Sequence, residues 1–151
     1  MIEPMQAMEW SAELYAHAIA VESEAALRYA ELARRMAGQG RAEAARLCAE
    51  FAAHQAGHLS ALQRRALGMP PAELTCDHSW PEHGAPLANA LRAEQNARAF
   101  FAQAGRVARD DAARAIAEEM VEEENDHIAR IERVIASAAR SRDNAAPQDL
   151  R

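Results

Sequence analysis

The sequence is poor in aromatic residues, only 5% of its 151 positions, and poor in β-branched residues. That argues against a β-rich fold. It has only six glycines and six prolines, most of them gathered at two or three places, so long helices can run between those places. Its two cysteines, Cys48 and Cys76, are isolated and form neither a disulfide framework nor a CxxC metal site. No apolar run approaches the length of a membrane span. The start, Met1-Ile2-Glu3-Pro4-Met5, has neither a basic segment nor an apolar stretch of signal-peptide type. The expectation is therefore a cytoplasmic protein with no membrane partner. No basic cluster forms a phosphate-binding face, and the net charge of −6 argues against nucleic acid as a partner. What remains is half apolar, mostly Ala and Leu, and long enough for one domain with a single core.

Apolar residues at spacings of three and four predict four helices. The first spans about Met8 to Ala37, with Leu14, Ala18, Val21, Ala25, Tyr29, Leu32 and Met36 inward. Gly38-Gln39-Gly40 ends it, and so short a link makes the second helix antiparallel. The second spans about Arg41 to Leu67, with Leu47, Phe51, Gln55, His58 and Leu62 inward. Residues 68–85 hold Pro70, Pro71, Pro81 and Gly84 and can cross a bundle end to end, since when extended they span well over roughly 40 Å. The third helix spans about Pro86 to Gly105, with Leu87, Leu91 or Ala90, Glu94, Ala97 and Phe101 inward. The fourth opens at Asp110 or Asp111 and runs to about Ala139, with Ile116, Met120, Glu124, His127, Ile131 and Val134 inward. The polar tail 141–151 has little to bury and is expected to be disordered, leaving 1–140 as the bundle domain.

Every one of these apolar columns is interrupted near its middle by a polar residue. The order repeats: Glu22 and then Gln55-Ala56-Gly57-His58 in the first hairpin, Glu94 and then Glu124-Asn125-Asp126-His127 in the second. Glu124 and His127 lie three apart, about 60° around the helix, so both reach one point. A single such residue is usually a boundary group with its head in water, and Glu122-Glu123-Glu124 alone reads as a solvated run. His17 and His54, taken singly, read as packed or surface residues. The shared register changes that reading. Three buried carboxylates would repel one another unless cations lay between them, and carboxylates with imidazoles suit iron, manganese or zinc.

The chain resembles the ferritin-like superfamily of diiron-carboxylate four-helix bundles, and within it the rubrerythrin-like branch. The resemblance covers roughly residues 8–138. Glu22-Ser23-Glu24-Ala25-Ala26-Leu27-Arg28-Tyr29 is similar to the first-helix segment, with a Tyr seven residues after the ligand Glu. Glu94 to Phe101 repeats that spacing, and Phe51 to His58 is similar to the segment that normally reads Glu-x-x-His. The resemblance implies two iron ions, with manganese or zinc as alternatives. Glu22 and Glu94 would be terminal ligands, Glu124 a bridge, and His58 and His127 one ligand each. It implies redox chemistry with dioxygen or peroxide, and a homodimer, which the Ala-rich surface of the first two helices would allow.

Three departures qualify it. Gln55 replaces the other bridging Glu, lowering the carboxylates from four to three; His54, beside it, is a candidate substitute whose angle points to the flank. Ala97 stands where rubrerythrins carry an extra Glu linked to peroxidase chemistry. No paired CxxC segments follow the fourth helix, so electrons would come from an external donor. A non-catalytic metal-handling protein, and a metal-free dimerising interaction module, are the rival functions. In the crossover, Cys76, Asp77, His78 and His83 read as polar loop residues before metal ligands, Trp80 as an anchor onto the bundle, and Tyr29 as core packing that also bonds a ligand carboxylate.

Overall fold

The structure is a computed structural model that describes residues 4–145, with side-chain surroundings described for residues 11–141. Four helices make an all-α bundle: α1 Pro4–Gly38, α2 Ala42–Arg65, α3 Pro86–Val107 and α4 Asp111–Ala145. They pack chiefly as two hairpins, α1 with α2 and α3 with α4.

The hairpin link between α1 and α2 is set by Gly40. Its φ of +72° is the left-handed conformation that follows many helices. Arg41 N–H donates to Met36 O at 2.9 Å and Gly40 N–H to Ala37 O at 3.1 Å. This pair of bonds is the Schellman pattern, and it satisfies carbonyls that α1 would leave orphaned. At the start of α4, Asp110 Oδ1 accepts from Ala113 N–H at 2.7 Å, so Asp110 is the capping residue. Pro86 opens α3 as expected.

Residues 66–85 form the crossover, an irregular stretch. Trp80 anchors it: its side chain is buried, and its ring meets that of Tyr29 edge-on at 4.9 Å. α1 begins at Pro4, earlier than the expected Met8. α4 continues to Ala145, past the expected end near Ala139, so 141–145 prolong the helix instead of starting a disordered tail. No Gly or Pro interrupts that stretch until Pro147, which accounts for the extension. The rest of the expected tail, 146–151, lies outside the described residues.

The inward columns are buried as expected, with Ala90 rather than Leu91 completing that of α3. They do not form one continuous core. Leu14, Ala18, Val21, Leu62, Phe101, Ile116 and Met120 belong to an apolar cluster toward one end. Tyr29, Met36, Leu47, Phe51, Leu87, Ile131 and Val134 belong to another toward the opposite end. Between the clusters each helix contributes a polar residue instead: Glu22, Gln55 and His58, Glu94, Glu124 and His127.

Candidate metal centre

Glu22, Gln55, Glu94, Glu124 and His127 are each at most 3% exposed, and His58 is half-buried. Burying three carboxylates costs several kcal/mol apiece unless each is paired, protonated or bound to a cation. The arrangement around them shows which of these is available.

On the α1–α2 side, Glu22 Oε1 lies 3.0 Å from His58 Nδ1. Glu123 Oε2 lies 2.9 Å from the same nitrogen, as a close ion pair off the N–H line. Glu22, His58 and Glu123 thus bring three donor atoms within 4.8 Å of one another. On the α3–α4 side, Glu94, Glu124 and His127 do the same. His127 Nδ1 is 3.4 Å from Glu94 Oε2 and 4.0 Å from Glu124 Oε2. Gln55 Nε2 is 3.2 Å from that same ring nitrogen. His54 stands at the rim, its side chain 59% exposed and its Nδ1 3.4 Å from Glu123 Oε1.

Tyr29 donates from its hydroxyl to Glu94 Oε1 at 2.6 Å, joining α1 to α3. Complete burial and then the Glu94 carboxylate hold the phenol well above its ordinary value, so it stays a donor. Phe101 occupies the matching place seven residues after Glu94, has no hydroxyl, and leaves Glu22 without an equivalent bond.

The electrostatics of this layer reflect its burial. Burial pushes the Glu22 carboxyl well above the carboxylate range. Burial acts the same way on Glu123, but the neighbouring His58 imidazole and Glu22 carboxyl outweigh it and hold Glu123 low. His58, ion-paired with Glu123 and hydrogen-bonded to Glu22, is pushed up to about 10. A proton on Glu22 and a charged imidazole therefore stand in for positive charge.

Several buried oxygens still have no hydrogen-bond partner: Glu22 Oε2, Gln55 Oε1, Glu124 Oε2 and both oxygens of Glu123. Unpartnered buried acceptors are rare and costly. They lie in one layer with two imidazoles, and this oxygen-and-nitrogen donor set fits iron, manganese or zinc. A groove of about 620 Å³ between α2 and α4 reaches the layer from solvent, lined by Ala53, His54, Gly57, His58, Glu119 and Glu123 among others. Ion pairs of Arg130 with Glu50, and of Arg65 with Glu119, join the same two helices toward its two ends.

The structure thus brings the six expected residues into one layer and adds a seventh, Glu123. Its spacing of four from both Glu119 and His127 puts it on the flank facing α2, where Ala53 and Gly57 leave room.

No protein-family model matches the chain. No curated protein is similar to it in sequence. A crystal structure of an uncharacterised conserved protein from Magnetospirillum magnetotacticum is similar in fold, with a TM-score of 0.75 at 24% identity over 83% of this chain and 93% of that one. At that identity the likeness is one of fold, and function has to be argued from the site. This chain is an all-α four-helix bundle whose mid-layer carries His/Glu groups able to hold a metal ion.

Proposed function

We propose that the chain is a ferritin-like, rubrerythrin-like protein whose mid-layer binds two metal ions, most suitably iron, and uses them in redox reactions with dioxygen or peroxide. The observation that carries this reading is the set of buried oxygens of Glu22, Gln55 and Glu124 without hydrogen-bond partners, in one layer with Glu123 and two imidazoles. Glu22, His58 and Glu123 would hold one ion; Glu94, Glu124 and His127 the other. Gln55 offers a neutral carbonyl oxygen between them. Glu123 restores the fourth carboxylate that Gln55 removes, so the charge of the donor set matches two divalent ions better than the six sequence-level residues do.

Two Fe(II) ions bound there would supply electrons to dioxygen or peroxide. The protein does the rest. The two apolar clusters flank the layer along the bundle axis, and the side groove admits water to it. Tyr29 fixes the orientation of Glu94. His58 and Glu22 hold protons in the metal-free state, and both must release them for a cation to bind. Electrons come from an external donor. A cytoplasmic homodimer is the proposed assembly, with Leu27 of α1 exposed on the Ala-rich face.

Gln55 favours one alternative, a metal-handling protein without catalysis, because a carboxamide is neutral and a poor bridge. Metal analysis after anaerobic Fe(II) loading tests the proposal, with about two ions per chain expected. Clearly substoichiometric metal would overturn it in favour of an interaction module. Exposure of the loaded protein to oxygen or peroxide then separates catalysis from handling. Oxidation no faster than the free-iron control would leave only the handling role.

A further inference from the structure

A second cluster of ligating side chains lies away from the mid-layer, where the crossover meets α1. His17 is five residues before Glu22, roughly 7.5 Å along the helix axis. It is only 2% exposed. The sequence suggests nothing special there, and it pairs Cys76 and His78 with His83. The structure leaves His83 exposed and brings His17 to them instead. His17 Nδ1 lies 2.7 Å from His78 Nε2, and Cys76 Sγ lies 3.5 Å from that same nitrogen. All three donor atoms fall within 4.8 Å of one another. The ring of Phe100 packs on both imidazoles, at 4.7 Å from His17 and 4.9 Å from His78.

We propose that His17, Cys76 and His78 form a mononuclear site for a thiophilic divalent cation, Zn²⁺ above all, that fastens the crossover to α1. Zinc takes nitrogen at 2.0–2.1 Å and sulfur at 2.3 Å, so a tetrahedron places two nitrogens roughly 3.3 Å apart and nitrogen and sulfur roughly 3.6 Å apart. Cys76 and His78 already have that spacing. The two imidazoles need to open by about 0.6 Å to admit an ion between nitrogens that now share a proton.

The surroundings suit a ligand set. Burial holds both imidazoles below their usual range, so each is neutral and can give a lone pair. Thr75 Oγ1, 3.0 Å from His17 Nε2, can accept the proton that this nitrogen carries once Nδ1 ligates. The Thr75 amide, 3.3 Å from Nε2, favours the opposite tautomer in the metal-free protein, and that weak bond is given up. The Cys76 thiol proton leaves to solvent on binding. A cavity of about 190 Å³, lined by Glu13, Leu14, His17, Thr75, Phe100 and Gln103 among others, lies alongside His17, and the exposed side of Cys76 leaves a fourth position open to solvent water.

The experiment uses the full chain, stripped of metal and kept reduced, titrated with Co²⁺ and Zn²⁺. Titration through three equivalents of Co²⁺, enough to fill the mid-layer as well, is expected to give a thiolate-to-cobalt charge-transfer band that saturates at one ion per Cys76. The mid-layer holds no sulfur, so its ions cannot produce that band, and the result is independent of the dinuclear reading. The other thiol, Cys48, is buried in the core and pushed up to about 11. Cys76→Ser and His78→Ala should abolish the band and weaken Zn²⁺ binding at least about a hundredfold; Thr75→Val should weaken it about tenfold. Cys76 is exposed, so its substitution leaves the core intact, which circular dichroism checks. Zn²⁺ should also slow alkylation of Cys76. Absence of the band, its survival in Cys76→Ser, or unchanged alkylation would each overturn the proposal and leave the three residues as a hydrogen-bonded pin.

Discussion

Gln55 sits between two groups of carboxylates and imidazole, its amide nitrogen near His127 and its carbonyl oxygen unpartnered. Replacing it with a carboxylate adds one buried charge to the layer. Gln55→Glu should therefore bind divalent metal more tightly than the native chain while being less stable without metal. Thermal denaturation with and without Mn²⁺ reads both effects, and unchanged or weaker binding would place Gln55 outside the ligand set. Tyr29 supplies the other decisive polar contact. Tyr29→Phe leaves Glu94 Oε1 short of a donor and should cost about 1–3 kcal/mol of metal-free stability, read by urea denaturation. Most of this was legible, because Glu22, Gln55, Glu94, Glu124 and His127 break apolar columns that were otherwise unbroken. Glu123 was not. It lies off the stripe in a run of three glutamates, and only the small residues Ala53 and Gly57 on the facing helix mark the space it occupies.

At the scale of elements, helix type followed from periodicity, and the α1–α2 turn from Gly40. The end of α4 did not, since a polar helix of good formers gives no stop until a proline. The crossover's path was legible only at Trp80, a large apolar ring in an otherwise polar stretch. The meeting of residues 75–78 with His17 has no periodic signature, being a contact between segments distant in sequence. Trp80 seals the apolar cluster that contains Tyr29. Trp80→Ala should destabilise the bundle by about 3–5 kcal/mol, measured by denaturant unfolding. A loss below about 1 kcal/mol would mean that the crossover is not part of the cooperative unit.

For the whole molecule, the protons of the mid-layer tie stability to pH. His58 titrates near 10 in the folded metal-free protein against 6.5 ordinarily, and Glu22 is also raised. Between these His58 values the native state retains protons that the unfolded chain has released. Stability of the metal-free protein should therefore fall as pH rises from about 6.5 toward 10, and a flat or rising urea midpoint would contradict it. Glu123, held low, acts in the opposite sense, but only in the acid range. With saturating Mn²⁺ the trend should weaken or reverse, because the ions require deprotonated ligands. The bond from Tyr29 to Glu94, with no counterpart from Phe101 to Glu22, makes the two halves of the bundle unequal. Filling should then be sequential: calorimetry should resolve two phases, the α3–α4 half first and the α1–α2 half second, after Glu22 gives up its proton. A chelator should empty them in reverse, so that a chain carrying a single ion is a stable species in its own right.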